Sequence, residues 1–358
     1  MLSGVRAVAF DRQDRLYVLD GGNQRVLVFD ARGRFVRQIG KQGRGPGELI
    51  APVQMAVNPT GDVVVSDLGR RAYSIFGGDG TFKRNVPFAA TGGPPLAGRV
   101  MRAHPRGGVV TLSEPGGFSP NAPAGVVDYD VSLRWNPLTQ GARETVLFRS
   151  QQESVRSSAA PGAGRPGTQV RTMGSVMFAP KLNWSVLPNG GLAVANTARY
   201  SIRLVQPNGT VARVLERPIA PRQVTARDRE AARERLRRSL TSGEGGTFVG
   251  ANGQTKMAFP PQLIREQVQN MQFADQIPVI TGVTTDATGR LWVERAAREP
   301  DAPGPVDILA QDGRYVGTLA AGTAMPDAFS PSGRAAYIER DELDVERVVV
   351  RALPASWR

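Results

Sequence analysis

The chain has 358 residues, 41% of them hydrophobic, with 41 glycines, 27 prolines and a net charge of +13. That is enough apolar material for a sizeable core and too many turn formers for a mainly helical protein. The absence of cysteine excludes a disulfide framework and a thiolate metal site, and no stretch approaches the ~20 apolar residues that span a bilayer. The charge is carried almost wholly by arginine, since only Lys41, Lys83, Lys181 and Lys256 are lysines. Arginines occur in every segment, which reads first as a solvated surface and only second as the footprint of an anionic partner.

The opening "MLSGVRAVAF" lacks the charged, apolar and cleavage regions of an export signal. From Phe10 the chain repeats itself. "FDRQDRLYVLD" (Phe10–Asp20) aligns without gaps on "VNPTGDVVVSD" (Val57–Asp67), and "FDARGRFV" from Phe29 aligns on "FGGDGTFK" from Phe76 at the same spacing. The first half of this unit recurs from His104, Leu187, Asp286 and Ser330, and the second half from Gln206 and Ala310. Runs such as "RLYVLD" and "RLWVER" are β-branched or aromatic and bounded by Gly, Asn, Asp and Pro, the pattern of short strands joined by tight hairpins. Four short strands per period of about 40–50 residues describe a propeller blade, and a lone sheet of that kind cannot cover both its faces. The expectation is all-β: six blades, near residues 1–40, 51–88, 97–150, 178–217, 278–320 and 324–358, in one domain.

Between blades one and two lies "KQGRGPGEL" (Lys41–Leu49). It fails the phosphate-loop pattern, because the lysine precedes the glycines and Gly47 is followed by Glu48. It reads as the return from the outer strand of one blade to the inner strand of the next, with Glu48 bonding its backbone. "EPGGFSPNAPAG" makes the outer half of blade three irregular, and residues 149–172 are Ser/Gly/Ala/Pro-rich and read as a flexible loop. Residues 218–277 form a mainly helical insertion between blades four and five. There Thr225 stands three residues before Asp228 as a capping box, and Ala232, Leu236 and Leu240 make an i, i+4 stripe among arginines. A second helical stretch follows Pro261, with Leu263, Ile264, Val268 and Met271 on one side. The pair reads as an amphipathic unit packed on the ring; the sharper reading is a lid or docking element. Blade six offers only three strands, so the natural product is expected to begin upstream of Met1 with the strand that closes the ring.

"VAFDRQDRLYVLDGGNQRVLVFDARGRFVRQIGKQGRGPGELIAP" resembles an NHL repeat with its linker. The resemblance rests on Asp20, Asn23 and Arg25 in one turn, on the "VFD…G" hairpin and on the G-x-G-P-G-E loop. It is strong for blades one and two, fair for four and five, and weak for three and six. It implies an NHL/TolB-like six-bladed β-propeller similar to bacterial exported proteins. By that resemblance the location is periplasmic or extracellular, with an export signal upstream of Met1; a complete chain would be cytoplasmic.

His104 is the only histidine, and in the repeat it occupies the hairpin position of Asp11, Asn58 and Asp286, a structural place. One histidine excludes a multi-histidine metal set and makes a Ser-His-Asp triad improbable. No cofactor is expected. The alternative is Ca²⁺ held by oxygens in the central channel, with Glu48, Glu114 and Asn183 as candidates. Asp20, Asp67, Asn196 and Ser113 read as turn residues whose side chains accept nearby N–H groups. The functional lead is the set of arginines beside those turns: Arg25, Arg44, Arg70, Arg71, Arg199 and Arg295, emerging on one loop-rich face. The reading is a monomeric, non-catalytic binding or scaffold propeller recognising a protein, small-molecule or polymer ligand through that face. A calcium-dependent hydrolase or lyase is the enzyme alternative. Single-stranded RNA is the other, disfavoured because no aromatic except Tyr200 interleaves the arginines.

Overall fold

A computed structural model of the protein describes residues 2–88, 100–113, 125–139, 141–156, 160–161, 169–170, 173–241, 247–250, 253–256, 260–300, 302–341 and 345–354. Among them the apolar runs become six antiparallel sheets whose strands follow one another in chain order. Blade one is Val5–Phe10, Leu16–Asp20, Arg25–Phe29 and Phe35–Ile39; blade two is Pro52–Val57, Val63–Asp67, Ala72–Phe76 and Phe82–Pro87. Blade three contains Met101–Ala103, Val109–Ser113, Gly125–Asn136 and Thr145–Arg156, and blade four Asn183–Val186, Leu192–Ala195, Ser201–Val205 and Val211–Glu216. Blade five is Ile280–Thr285, Leu291–Arg295, Val306–Leu309 and Tyr315–Leu319. Blade six has Ala328–Phe329, Arg334–Arg340 and Glu346–Ala352, three strands among the described residues. The first strands neighbour one another around the axis, and the second strands of blades one and two are buried along their whole length.

Each blade opens on the same hairpin. The N–H groups of Asp11, Asn58, His104, Leu187, Asp286 and Ser330 each donate to the carbonyl four residues on, and the N–H three residues on donates back. That third residue must take a left-handed conformation. It is Gly61, Gly107, Gly190, Gly289 or Gly333 in five blades, with φ between 80° and 90°, and Asp14 with φ 58° in the first. The repeat legible in the sequence is therefore a repeat of backbone geometry.

The core is not central. It is divided among the six interfaces between blades. Val28, Leu49, Met55 and Phe76 pack between blades one and two, and Val64, Tyr73, Phe88 and Met101 between two and three. Leu133, Leu147, Trp184 and Val194 join three to four, while Tyr200, Ile202, Val283 and Leu291 join four to five. Trp292, Ile308, Ala335 and Leu353 join five to six, and Val8, Leu16, Val18 and Ala336 join six to one. Each fully buried Val, Leu or Ile contributes about 1.5–3 kcal/mol, so every interface holds a share of the ring's stability. The last interface carries polar staples as well: Ser332 N–H donates to Asp14 Oδ1 (3.1 Å), and Val5 N–H donates to Glu346 Oε2 (2.6 Å).

Blade three departs from the plan. Its third and fourth strands are 12 residues each and pair from Gly125↔Arg156 to Trp135↔Thr145. Arg149–Arg156, inside the stretch that composition reads as flexible, thus lie in strand, and Met173–Ser175 adds a fifth strand beside them. Backbone pairing needs no apolar side chains, which is why a Ser/Gln/Arg-rich segment extends a hairpin here. The expected "EPGGFSPNAPAG" loop, with Glu114, lies outside the described residues, as does much of 157–172.

The insertion leaves blade four after Glu216. Arg222–Gln223 pairs with Gln276–Ile277 and closes its base. Helix α1 (Ala226–Thr241) starts on the expected box: Asp228 N–H donates to Thr225 Oγ1 (3.3 Å), and Thr225 N–H donates to Asp228 Oδ2 (2.9 Å). Asp228, Ala232 and Leu240 are buried and Leu236 is half-buried, one stripe at helical spacing. Helix α2 (Pro261–Gln269) buries Val268 and packs on α1. Between the helices Thr247–Gly250 pairs with Gly253–Lys256, a hairpin that helical periodicity does not announce.

Candidate binding face and central channel

One end of the ring carries the turns between second and third strands together with the linkers between blades. Aspartates organise it. Asp20 is fully buried; its carboxylate accepts Ser3 N–H (2.9 Å), the Asn23 side-chain amide (2.8 Å) and Arg25 Nε–H (2.9 Å). Asp67 accepts Ile50 N–H (2.8 Å), Ala51 N–H (2.9 Å) and Arg70 N–H (3.1 Å). Within the turn Asp67 accepts the N–H three residues on, and Asp20 accepts the Asn23 and Arg25 side chains, where turn chemistry alone would place an N–H two residues on. Both aspartates also tie the turn to the segment entering the blade's first strand, a bond across about 17 residues that local turn chemistry does not predict. Asn196 sits at the equivalent place in blade four and donates from Nδ2 to Ser150 Oγ (2.8 Å).

In the linker Lys41–Leu49, Glu48 Oε2 accepts Gly45 N–H (2.7 Å), and Lys41 Nζ lies 3.4 Å from Oε1. The Gly45 N–H, and then the Lys41 ammonium, hold this carboxyl below the usual glutamate range. A Cβ on Gly43 would meet Glu48 Oε2 at 2.0 Å, so the glycine is there for the carboxylate. Arg70 Nη2 closes the loop by donating to the carbonyls of Gly45 (3.0 Å) and Glu48 (2.8 Å).

The six candidate arginines share this end but not one condition. Arg25 and Arg70 are engaged internally as described. Arg295 occupies the position of Asp20 in its blade and pairs with the fully buried Asp307 (3.3 Å), which Arg217 also engages. Blade five thus staples its turn with the charges reversed. Arg44, Arg71 and Arg199 are exposed, and Arg71 holds φ 55° at the turn position that Gln24 fills in blade one with φ 51°.

The insertion stands on the same end, since it replaces the linker from blade four to blade five. Met177 N–H, in the linker into blade four, donates to Gln272 O (2.8 Å), and Ala274 N–H donates to Met177 O (2.9 Å). On the other side Arg227 pairs with Glu299 of blade five (2.8 Å). Arg222 grips Asp228 with two bonds (2.6 and 2.7 Å), and these hold the carboxyl well below the carboxylate range. Arg229 and Arg233 lie over the Phe273 ring, 5.8 and 5.4 Å from its centroid.

His104 sits at the opposite end and is fully buried. Its Nδ1 accepts Arg106 N–H (3.2 Å), its Nε2 lies 3.2 Å from Gly190 O, and its ring stacks on Trp135 at 4.6 Å. The two partners define a neutral imidazole with the proton on Nε2. Burial, with some help from the Arg106 charge, lowers its pKa below 6.5. At the same end Asp11 and Asp286 each accept two backbone N–H groups and an Arg Nε–H, with Tyr17 or Trp292 donating to the second oxygen. A hollow of about 270 Å³ between blades one and two is lined by Asp11, Arg15, Arg37, Pro59, Gly61 and Asp79. Of its charges, Arg15 pairs with Asp11 and Arg37 donates to the Asp79 carbonyl.

On the inner strands the hairpin register compares the blades directly. Two residues before the hairpin position stand Ala9, Ala56, Arg102, Ser185, Thr284 and Ala328. Five are small and one is an arginine. Arg102 reaches from blade three past blade four to blade five: Nη1 donates to Thr284 Oγ1 (3.3 Å) and Nη2 to Val283 O (3.4 Å). Its guanidinium carbon lies 5.8 Å from the Trp184 ring centroid. Desolvation lowers its pKa to about 10, which leaves it charged at neutral pH. Arg102 was not among the arginines picked from their turns; the signal for it was its place in the repeat. Of the calcium candidates, Glu48 is engaged as above, and Asn183 donates from Nδ2 to the carbonyls of Lys181 (3.2 Å) and Ile280 (3.5 Å). No group of three or more His, Asp or Glu suited to a metal occurs among the described residues.

Residues 2–84 match the family model of a 6-bladed beta-propeller. The chain is a six-bladed β-propeller. Among curated proteins it is similar to protein brain tumor of Drosophila melanogaster, 32% identical over 111 residues, which is 30% of this chain and 10% of that protein. The match therefore spans a tenth of that relative's length. Among solved structures it is similar to the hydrazine synthase of Kuenenia stuttgartiensis (11% identity, 99% of this chain and 97% of that one, TM-score 0.42). It is also similar to a gluconolactonase from Xanthomonas campestris (12% identity, 94% and 83%, TM-score 0.41). No helix among the described residues is long and apolar enough to cross a membrane.

Proposed function

We propose that this propeller is a binding module for an acidic protein partner, recognised by the end that carries the second-to-third-strand turns and the helical insertion. The observation that carries the reading is the seating of the insertion. The segment after α2 is bonded to the linker at Met177, and Arg227 of the arginine-rich α1 pairs with Glu299, on the end where Arg44, Arg71 and Arg199 are exposed. Of the acidic groups buried at this end, Asp20, Asp67 and Asp307 hold turns together and Asp228 holds the cap of α1. That is the work of a scaffold presenting loops. Interfaces of this kind use arginine because its planar fork matches carboxylates. The test is equilibrium binding of poly-glutamate at low salt, repeated as salt is raised, with single-stranded RNA as a second ligand. Salt-sensitive binding of poly-glutamate supports the reading; RNA binding without it would favour nucleic acid instead.

An enzymatic reading has one observation of its own. Burial raises the pKa of Glu294, whose Oε2 lies 3.2 Å from the hydroxyl of the exposed Thr281 on a first strand. A hydrolase or lyase using Glu294 as general acid would lose turnover in Glu294→Gln while keeping its fold. Calcium dependence would appear as loss of that turnover with a chelator.

A further inference from the structure

Arg102 presents a problem of charge. A guanidinium taken out of bulk water needs a carboxylate or several good acceptors. The other inward-facing arginines have them: Arg15 on Asp11, Arg290 on Asp286, Arg217 and Arg295 on Asp307, and Arg70 on two carbonyls within 3.0 Å. Arg102 has a hydroxyl and a carbonyl at 3.3 and 3.4 Å, long for charge-assisted bonds of 2.7–2.9 Å, and its Nε, like those of Arg70 and Arg295, is buried without an acceptor. Among the described residues no carboxylate pairs with it. The residue is nevertheless half-buried and not fully enclosed. The Trp184 face offers a flat wall beside it.

We infer that Arg102 is the anchor of an oxyanion site in the central channel, for a carboxylate or phosphate group small enough to lie between its guanidinium and Thr284. The group would meet the guanidinium and replace two long neutral contacts with charge-assisted ones. Thr284 supplies a hydroxyl at the same place. The site is separate from the binding face, so the two proposals fail independently: reversing Arg71 or Arg199 leaves this site intact.

The experiment is thermal unfolding of the full chain in sodium phosphate and, separately, sodium succinate, against sodium chloride at matched ionic strength. The expected result is a saturable rise in Tm with at least one of them, and the one that acts identifies the class. At ten times its half-saturating concentration the ion shifts the folding equilibrium about elevenfold. Arg102→Gln is expected to abolish the rise. Thr284→Asp, which puts a carboxylate beside the guanidinium, is expected to abolish it too, and keeps the test open if Arg102→Gln does not fold. No saturable rise in the native protein overturns the proposal. So does a rise that survives in whichever of the two variants folds.

Discussion

At the scale of single residues, His104 is where the ring's hairpin meets titration. Its neutral form accepts Arg106 N–H and faces Gly190 O, and burial keeps its folded pKa below the ordinary 6.5. The unfolded chain therefore binds more protons than the folded one just below pH 6.5, and stability falls as pH drops through that window. His104→Asn, with the residue that blade two uses at this position, is expected to remove that part of the acid sensitivity in denaturant titrations at pH 7 and pH 5. Retention of the same pH dependence would show that other groups cause it. Gly61 tests the hairpin itself. It holds φ 85°, and an added Cβ would meet nothing within 4 Å, so Gly61→Ala isolates the backbone cost. A loss of about 1 kcal/mol is expected by urea unfolding; no loss would mean that the turn does not need the left-handed conformation.

At the scale of elements, the insertion is a small unit with its own lock. Asp228 joins the cap of α1 to Arg222 at the base, and Val268 of α2 is buried. The Asp228 carboxyl is held below its unfolded value of 3.8, so its contribution is present at neutral pH and lost as pH falls below 3.8. Asp228→Asn is expected to open residues 218–277 to limited proteolysis while blade cores remain resistant, because local opening precedes global unfolding. Uniform protection would show that packing alone seats the helices. The capping box and the Ala232/Leu236/Leu240 stripe were legible because both rest on spacing within one helix. The seating on Met177 was not, because it joins backbone groups almost a hundred residues apart in sequence. Asp307, shared by Arg217 and Arg295 from different turns, was hidden for the same reason.

At the scale of the molecule, the six-bladed ring was legible because every blade repeats one hairpin, with glycine at its left-handed position in five blades and a polar residue at its first position in five. The candidate site was legible only in part. Charge and turn position placed the candidate arginines together at one end of the ring, yet they could not separate exposed Arg71 and Arg199 from Arg25 and Arg295, whose partners are buried aspartates. Arg102 became visible only when the blades were compared at one level of the inner strands. The central claim, recognition of an acidic partner by the turn-and-insertion end, is tested most directly by binding of poly-glutamate to the native chain and to the triple variant Arg71→Glu, Arg199→Glu, Arg229→Glu. These side chains are exposed, so the fold should be unchanged. The account predicts tight binding at low salt for the native chain and at least a tenfold loss in the variant. Equal binding by the two proteins, or none by the native chain, would contradict it.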